Sequence, residues 1–504
     1  MHIYSDIGMH TFMLEHIYPG HMQAITRSDR RGRPVRSGAW LYVYVDELER
    51  FMEQSTAVKK KTTTRDMTTG NIAKEIMLFA LPLMFGNIFQ MLYNTVDSIV
   101  VGNYVSTEAL AAVGATTMIV NMAVFFFNGF SIGAGVIIGR YFGAKNMERL
   151  HDSIETTMAT TFVCCVLFTI IGILGVPFML DFMSTPDDVM ADASTYLRTY
   201  FAGIAGLLVY NIGSGILRAV GDTRRPLYFL VLTSVLNIAL DLLFVLQFHL
   251  GIFGVALATI ISQFISAGLT LLLLLRTKDI YRLTLHDCRI EPKMLRQILA
   301  VGLPAGIQSV ITAFSNVFVQ SYINNFGSAC MAGWTSYNKL DAFIMLFIQS
   351  MAMASTTFVS QNIGAQKVKR ANEGTVASVV MTLMLNVGLA VILWIFAPPA
   401  VGLFTPDPDV ISYGTLFLRQ NVFFLLFNSV NHVLAGALRG RGDSTGPMII
   451  MLLSFVAVRQ TYLFFMTRFI ANTPATVGFG YPVGWTTCCI LETIYFFRRW
   501  SRKN

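Results

Sequence analysis

Two short polar stretches inside long apolar runs carry the residues of this sequence that are best suited to chemistry. In 'NIFQMLYNTVDSIVV' four polar residues recur at helical spacing and share one face of a helix: Gln90, Tyr93, Asn94 and Asp97. In 'TSVLNIALDLLFV', Asn237 and Asp241 also share a helical face. A carboxylate at the centre of a membrane helix costs about 2.5–3.5 kcal/mol. Both acids must therefore face a cavity or a partner.

Further polar positions in the apolar runs could belong to the same site or serve packing. Tyr196 and Asn211 lie in the fourth run, and Thr259 lies in the sixth. For Asn211 and Thr259 the alternative is an ordinary interhelical hydrogen bond. Asp341, in 'YNKLDAFIML' of the eighth run, is a secondary candidate, and a local ion pair with Lys339 is the alternative there.

Two acids with neutral polar neighbours suit the reversible binding of a cation. If their helices pack together, a proton or Na+ held between Asp97 and Asp241 would neutralise the pair. That would change the packing of the first helix and weaken the hold on a cationic organic compound, and linkage makes the effect mutual. The sequence has no zinc-type Cys/His spacing and no G-x-x-x-x-G-K-[ST]. We predict no enzyme, no cofactor, and no metal beyond Na+.

Composition identifies the surroundings in which these residues must work. Of 504 residues, 54% are hydrophobic and only 13% are charged, and the mean hydropathy is +0.57. These values exclude a disordered chain, a collagen-like fibre and an ordinary cytosolic enzyme. They indicate an integral membrane protein whose partner is the lipid bilayer.

Twelve apolar runs, each long enough for the ~20 residues of a spanning helix, follow residue 66. The predicted fold is therefore all-α, with twelve transmembrane helices. The first six runs lie near 73–100, 108–139, 155–178, 194–217, 226–248 and 252–275. The second six lie near 297–322, 331–359, 374–398, 412–438, 447–470 and 477–498.

Charges in the connections predict the orientation in the membrane. One set, called the basic side here, is rich in cations such as Arg140, Lys145, Arg218, Lys369 and Arg441. The opposite set, the acidic side, carries aspartates: Asp181, Asp187, Asp188, Asp407 and Asp409. The positive-inside rule places the basic side and both termini in the cytoplasm, in a plasma (inner) membrane. This distribution accounts for the net charge of +8 without a nucleic-acid partner.

An internal repeat relates the two sets of six runs. Short matches recur in order about 220 residues apart, among them Leu81-Pro82 with Leu303-Pro304 and Gly221-Asp222 with Gly442-Asp443. Six crossings return the chain to the same side. The halves should therefore be related by a pseudo-twofold axis along the membrane normal, around a central cavity. Such a pseudo-dimeric chain can function as a monomer.

Three regions follow from this pattern. Residues 1–66 are polar and irregular, and we interpret them as a cytoplasmic extension, disordered or a mis-annotated start, whose deletion should leave insertion and transport nearly intact. Residues 67–285 form the predicted N-lobe with helices 1–6. Residues 286–504 form the predicted C-lobe with helices 7–12.

The quoted stretches, together with 'GNIAKEIMLFALPLMFGNIFQ' and 'GILRAVGDTRRP', identify a resemblance from Met67 onward. The chain resembles the multidrug and toxic compound extrusion (MATE) transporters, in particular their DinF-like branch. The resemblance implies secondary active efflux of cationic or amphipathic organic compounds in exchange for H+ or Na+. The seventh run, 'AGIQSVITAFSNVFVQSYI', lacks the acid that the other main branch places in the second lobe.

In the DinF-like branch an acid of the first helix and an Asn-x-x-x-Asp of the fifth form the cation site. The positions assigned to cation binding are Asp97, Asn237, Asp241, Thr259 and Asn211. Those assigned to the substrate are Gln90, Tyr93, Asn94 and Tyr196. The alternative function is a lipid-linked saccharide flippase of a related superfamily. Such a flippase would be expected to carry several Arg or Lys in its cavity, and Arg459 is an isolated exception among the spans.

Overall fold

The computed structural model describes residues 64–105, 107–183, 185–284 and 289–501, and every regular element in these ranges is a helix. The first six spans are α1 (Ile72–Tyr104), α2 (Thr107–Gly143), α3 (Met147–Phe182), α4 (Asp187–Ala202 and Ile204–Ala219), α5 (Arg224–Leu242, continued as a π-helix over Leu243–Gln247) and α6 (Gly251–Arg276).

The second six spans repeat this order. They are α7 (Pro292–Asn324), α8 (Ser328–Gly364), α9 (Val368–Ile395), α10 (Pro408–Asn421 and Leu425–Gly440), α11 (Thr445–Met451 and Arg459–Phe465, with π-helices over Leu452–Val458 and Met466–Ile470) and α12 (Gly480–Ser501). Short helices over Ala397–Gly402 and Pro474–Gly478 precede α10 and α12.

The number of spans agrees with the sequence. Nine helices of the described residues are long and apolar enough to cross a membrane, and α4 adds a tenth as a pair of helices bent by 49°. The bend lies at Gly203, whose backbone follows no helical geometry. The two remaining helices, α2 and α12, are 37 and 22 residues long and occupy the other predicted runs. The all-α, twelve-helix prediction is confirmed.

Backbone conformation repeats along with the sequence. Gly221 and Gly442, at matching positions after α4 and α10, have φ of 88° and 86°. A side chain is strained at such angles, which explains a glycine at both places. Lys145 and Gln366, after α2 and α8, match in the same way with φ of 55° and 58°. The two halves therefore use the same turns in the same order.

The tripeptide Arg441-Gly442-Asp443 belongs to this repeated turn. Asp443 Oδ1 accepts a hydrogen bond from the N–H of Gly446 at the start of α11, at 3.1 Å. Asp222 does the same for Arg225 at the start of α5, at 3.2 Å. Both aspartates thus satisfy backbone donors that a helix leaves free at its first turn. The tripeptide is therefore part of a turn that both halves use.

Helix α1 lies between the two halves. Its Gly86 lies against Leu227 of α5 in the first half. Its residues Ile76 and Phe79 are buried in one apolar cluster with Phe358 of α8 in the second half. A movement of α1 relative to α5 therefore also changes its packing on α8.

On the basic side, helices of the two halves meet at glycines. A Cβ atom added to Gly129 of α2 would lie 2.6 Å from the carbonyl oxygen of Gly302 in α7. At the end of α2, a Cβ on Gly143 would collide with the backbone of Gln361 in α8. At the end of α8, a Cβ on Gly364 would collide with the backbone of Arg140 in α2. Small residues let the helix backbones approach closely, as in other membrane helix pairs.

A short segment before α1 covers the same side. The N–H of Met67 donates to Oε1 of Gln361 in α8 at 3.0 Å. The amide of Gln361 donates in turn to the carbonyl of Ala219 in α4 at 2.9 Å. The N–H of Arg65 donates to the carbonyl of Val220 at 3.2 Å. These bonds connect both halves on the basic side, which is closed in this conformation.

Candidate functional site

The two predicted acids meet inside the first half. The carboxyl groups of Asp97 of α1 and Asp241 of α5 lie near enough to interact directly with each other. Asp241 is fully buried. Among the described residues no donor reaches Oδ1 of Asp97 or either oxygen of Asp241. Two carboxylates repel each other, and a hydrogen bond between them requires a proton. The pair can therefore be stable only with a proton or another cation.

Neutral polar groups surround this acid pair. Asn237, one turn before Asp241, is 3% exposed, and neither its Oδ1 nor its Nδ2 has a partner within the described chain. The hydroxyls of Tyr93 and Tyr196 lie within electrostatic range of both carboxyls. Tyrosine hydroxyls and an amide can donate to a carboxylate or offer oxygens to a cation. The site thus combines two acids with adaptable neutral ligands.

Two of the predicted cation ligands satisfy their hydrogen bonds within their own helices. The side-chain amide of Asn211 donates to the carbonyl of Leu207 at 3.0 Å. The hydroxyl of Thr259 donates to the carbonyl of Val255 at 3.1 Å. Neither bond connects these side chains to the acid pair. Their assignment to the cation site stays a prediction.

The predicted substrate residues divide between two places. Gln90 and Asn94 line a cavity of about 580 Å³ between α1 and α8, which also includes Lys339 and Gln349. Tyr93 and Tyr196 lie instead with the acids inside the first half. The helical face predicted for α1 is therefore split. One edge faces the cavity between the halves, and the other faces the acid pair.

The side chain of Asn87 marks one end of this cavity. Its amide donates to the hydroxyl of Ser350 in α8 at 3.1 Å, which connects α1 to the second half. Beyond this bond, toward the basic side, the buried cluster of Phe79 and Phe358 closes the space between the helices. The cavity is therefore separated from the basic side.

The second half holds a different charged group, around Arg459 of α11. Arg459 is 1% exposed and donates to Oδ1 of Asn316 at 2.9 Å. Its guanidinium lies 4.6 Å from the ring centroid of Tyr481. The hydroxyls of Tyr481 and Tyr337 each interact with both Arg459 and Asp341. A fixed positive charge thus lies in the same network as the acid of α8.

Lys339 does not pair with Asp341. In the part of the chain that the structure describes, no ion pair joins the two. Lys339 faces the cavity, whereas Asp341 lies beside Tyr337. The spacing of two residues places them on different sides of α8. The local ion pair left open by the sequence is therefore not formed.

Sequence reasoning missed a second group of buried charges in the second half. Glu492 of α12 is fully buried, and neither carboxyl oxygen has a partner among the described groups. Arg439 of α10 lies within electrostatic range of Glu492 and donates to Gln308 at 2.9 Å. The sequence did contain a signal for this group, because Glu492 is a charged residue inside the apolar run 477–498. The second half therefore also buries ionisable residues inside its spans.

The acid pair also limits which cations it can bind. No group of three or more His, Cys, Asp or Glu able to hold a metal occurs within the described ranges. Two carboxylates and the oxygens of Asn237 and the tyrosines would form a site for a proton or Na+, which accepts oxygen ligands.

Two six-helix halves with a central cavity and an intramembrane acid pair define a membrane transporter. A model of the MatE family matches the chain over residues 82–243 and again over 304–460. The chain therefore belongs to the MatE family of transporters. The two matches begin at Pro82 and Pro304, the positions that the sequence repeat pairs.

Curated relatives span almost the same length. The chain is 29% identical over 436 residues to the probable multidrug resistance protein YpnP of Bacillus subtilis, covering 86% of this chain and 97% of that one. It is 26% identical over 404 residues to the probable multidrug resistance protein NorM of Thermotoga maritima, covering 79% and 86%. These relatives do not favour a saccharide flippase, since their names describe multidrug resistance.

Solved structures share the fold. An outward-facing structure of a multidrug resistance MATE family transporter of the MOP superfamily superposes with a TM-score of 0.83 at 24% identity, covering 88% of this chain and 99% of that one. A MOP superfamily transporter from Pyrococcus furiosus, described as having a binding pocket of reverse polarity, gives a TM-score of 0.82 at 24% identity and the same coverage. At this identity the likeness supports the fold alone.

Proposed function

We propose that this transporter exports small cationic or amphipathic organic compounds in exchange for H+ or Na+, by alternating access. The observation that carries the proposal is the pair of the half-buried Asp97 and the fully buried Asp241, in which Oδ1 of Asp97 and both oxygens of Asp241 have no hydrogen-bond partner among the described residues. A buried carboxylate pair needs a cation from solution to be stable. The names of the multidrug relatives support the class of substrate.

Helix α1 is the element that couples the cation to the substrate. It places Asp97 against α5, and it places Gln90 and Asn94 in the cavity beside α8. A cation bound between the acids removes their repulsion and lets α1 pack closer to α5. That movement changes the width of the cavity. The substrate and the cation therefore oppose each other through α1, with equal coupling free energy in both directions.

In the proposed cycle this conformation corresponds to the outward-facing state. The basic side is closed by Gly143, Gly364 and the bonds of Met67, and the cavity lies beyond them toward the acidic side. With the basic side in the cytoplasm of the plasma (inner) membrane, the cavity releases its substrate outside. The proposal further assigns the chain to the DinF-like branch, acting as a monomer with both termini in the cytoplasm.

Transport in inverted membrane vesicles tests this function. Vesicles that contain the full chain are mixed with a fluorescent organic cation in the outer medium, and a proton or a sodium gradient is imposed separately. The proposal expects uptake of the dye to follow one of the two gradients and to stop when that gradient is collapsed by an ionophore. Uptake that ignores both gradients, in vesicles with verified protein, would contradict antiport.

A further inference from the structure

The described lining of the cavity between α1 and α8 carries a positive charge and no acid. Among the described residues that line it, Lys339 is the one charged side chain. The acids nearest in sequence face elsewhere, because Asp97 lies with Asp241 and Asp341 lies beside Tyr337. This polarity is the opposite of what a cavity specialised for cations requires.

The remaining lining suits an amphipathic molecule with an acidic group. Side-chain amides line the cavity from both sides: Asn87, Gln90 and Asn94 from α1, and Gln349 from α8. Amide groups can donate to carboxylate oxygens, and an ammonium offers three donors as well as charge. Met91 and Leu346 provide apolar surface for the rest of a ligand. A volume of about 580 Å³ falls in the range of small-molecule sites.

We infer that Lys339 and the amides of this cavity bind a carboxylate on the transported compound, so that among amphipathic organic cations those that also carry a carboxylate are preferred. The inference deepens the proposed export function and rests on it for its biological role. Binding itself does not require transport.

A structural role for Lys339 is the competing interpretation. Its Nζ lies 5.2 Å from the ring centroid of Phe404, and the side chain is exposed. A lysine at the end of a membrane helix can extend toward the interface for solvation alone. In that case the lysine would contribute nothing to the discrimination between ligands. The two roles therefore differ in one measurable quantity, the preference for a carboxylate.

The test uses a matched pair of probes: a rhodamine that carries a free carboxylate and its methyl ester. The purified full chain is placed in lipid nanodiscs, and binding of each dye is measured by fluorescence polarisation, with empty nanodiscs as the background. We expect the wild type to bind the carboxylate dye about tenfold more tightly than the ester, which corresponds to about 1.4 kcal/mol. Lys339→Met should remove this preference by weakening the carboxylate dye alone.

Three variants keep the test decisive. Lys339→Arg should retain the preference, and Lys339→Gln gives a second neutral variant should Lys339→Met fold poorly. Lys369→Met removes the same charge from an exposed position on the basic side and should change nothing. Equal binding of both dyes by the wild type would overturn the inference. An unchanged preference in Lys339→Met, or an equal loss for both dyes, would overturn it too.

The binding result and the proposed function can fail separately. If the wild type prefers the carboxylate dye but neither gradient drives uptake of dye into inverted vesicles, the cavity inference stands and antiport is wrong. If a gradient drives uptake but the wild type shows no preference in binding, antiport stands and Lys339 has a structural role.

Discussion

The two halves of this transporter both place ionisable residues inside their spans, but they surround them differently. In the first half, Asp97 and Asp241 face each other without a cation from the protein. In the second half, Asp341 shares its tyrosine neighbours with Arg459, a permanent cation. Asp341 and Arg459 are thus connected through the tyrosines between them rather than by an ion pair. Under the proposed function the first site takes its counter-charge from solution, whereas Arg459 is a fixed charge of the second half.

Helix irregularities accompany both charged sites. A π-helix over Leu243–Gln247 begins directly after the turn of Asp241. Two π-helices, over Leu452–Val458 and Met466–Ile470, flank the α-helical turn of Arg459. π-Helical turns are rare and occur frequently at functional sites. π-Helical turns therefore occur in both α5 and α11. They lie beside an acidic residue in α5 and beside a basic residue in α11.

The largest expected effect comes from removing the exchangeable charge. Asp97→Asn keeps the size of the side chain and its hydrogen-bonding capacity. It removes the negative charge that a bound cation would neutralise. We expect gradient-driven dye efflux to fall at least about 100-fold, near the background of the host, while the protein still inserts, because a neutral amide costs less than a carboxylate in the membrane. Efflux from a pump-deficient strain, normalised to the amount of protein, measures this.

Asp241→Asn should lose dye efflux as Asp97→Asn does. Asp341→Asn is the matched control for this efflux experiment. Val319, at the position of the second half that matches Asp97, is a poorer choice. Its side chain is fully buried in an apolar cluster, so an asparagine there would leave an unpaired amide. Asp341→Asn should retain most of the parental efflux. Equal losses in Asp97→Asn and Asp341→Asn would remove the difference between the halves.

The next effect concerns the fixed charge. Arg459→Met removes the donor to Asn316 and the cation near Asp341, so we expect it to destabilise the fold by about 3 kcal/mol, as when one partner of a buried charge pair is lost. The double variant Arg459→Met/Asp341→Asn should recover part of this loss. Thermal unfolding in detergent measures both. Strictly additive losses would show that the arginine does not compensate the acid.

A smaller effect is expected where the halves meet on the basic side. Gly364→Ala places a methyl group against the backbone of Arg140, which should favour conformations in which α2 and α8 separate. We expect about a tenfold shift toward the inward-open state, or about 1.4 kcal/mol. Labelling of a cysteine placed at Ser360, which faces Gly139 across the interface, should become faster.

Gly268→Ala on α6 is the control for this experiment, because nothing lies within 4 Å of the added Cβ. It should leave the labelling rate unchanged. A rate in Gly364→Ala as slow as in the parent would mean that the contact between α2 and α8 does not hold the basic side closed.

The smallest effect should follow removal of the N-terminal extension. Deleting residues 1–63, which lie outside the described ranges, should change efflux by less than about twofold, within the spread of surface changes. Deleting residues 1–66 also removes the bond of Arg65 to Val220 and should cost about 1 kcal/mol of stability. Both predictions are checked by measuring dye efflux and unfolding of the two truncated proteins. Loss of folded protein on removal of residues 1–63 would contradict the interpretation of the extension.

Much of this fold could be predicted because membrane insertion imposes a length and a composition on every spanning helix. The acid pair was also accessible, since Asp97 and Asp241 interrupt apolar runs at helical spacing. The sequence could not predict that the polar face of α1 is divided between two places. Gln90 and Tyr93 share that face, and only the neighbouring helices determine that one lines the cavity and the other lies with the acids. Arg459 and Glu492 could each be recognised as charged residues inside apolar runs. The residues that surround them come from helices distant in sequence and could not be predicted.

The most direct test of the central claim measures which half exchanges its cation when a substrate binds. Purified protein in nanodiscs, in weakly buffered solution with or without radioactive sodium, is mixed with an organic cation, and released protons and displaced sodium are counted. The account predicts that the wild type and Asp341→Asn release one of the two cations to the same extent, whereas Asp97→Asn and Asp241→Asn release neither. Undiminished release from Asp97→Asn would contradict it.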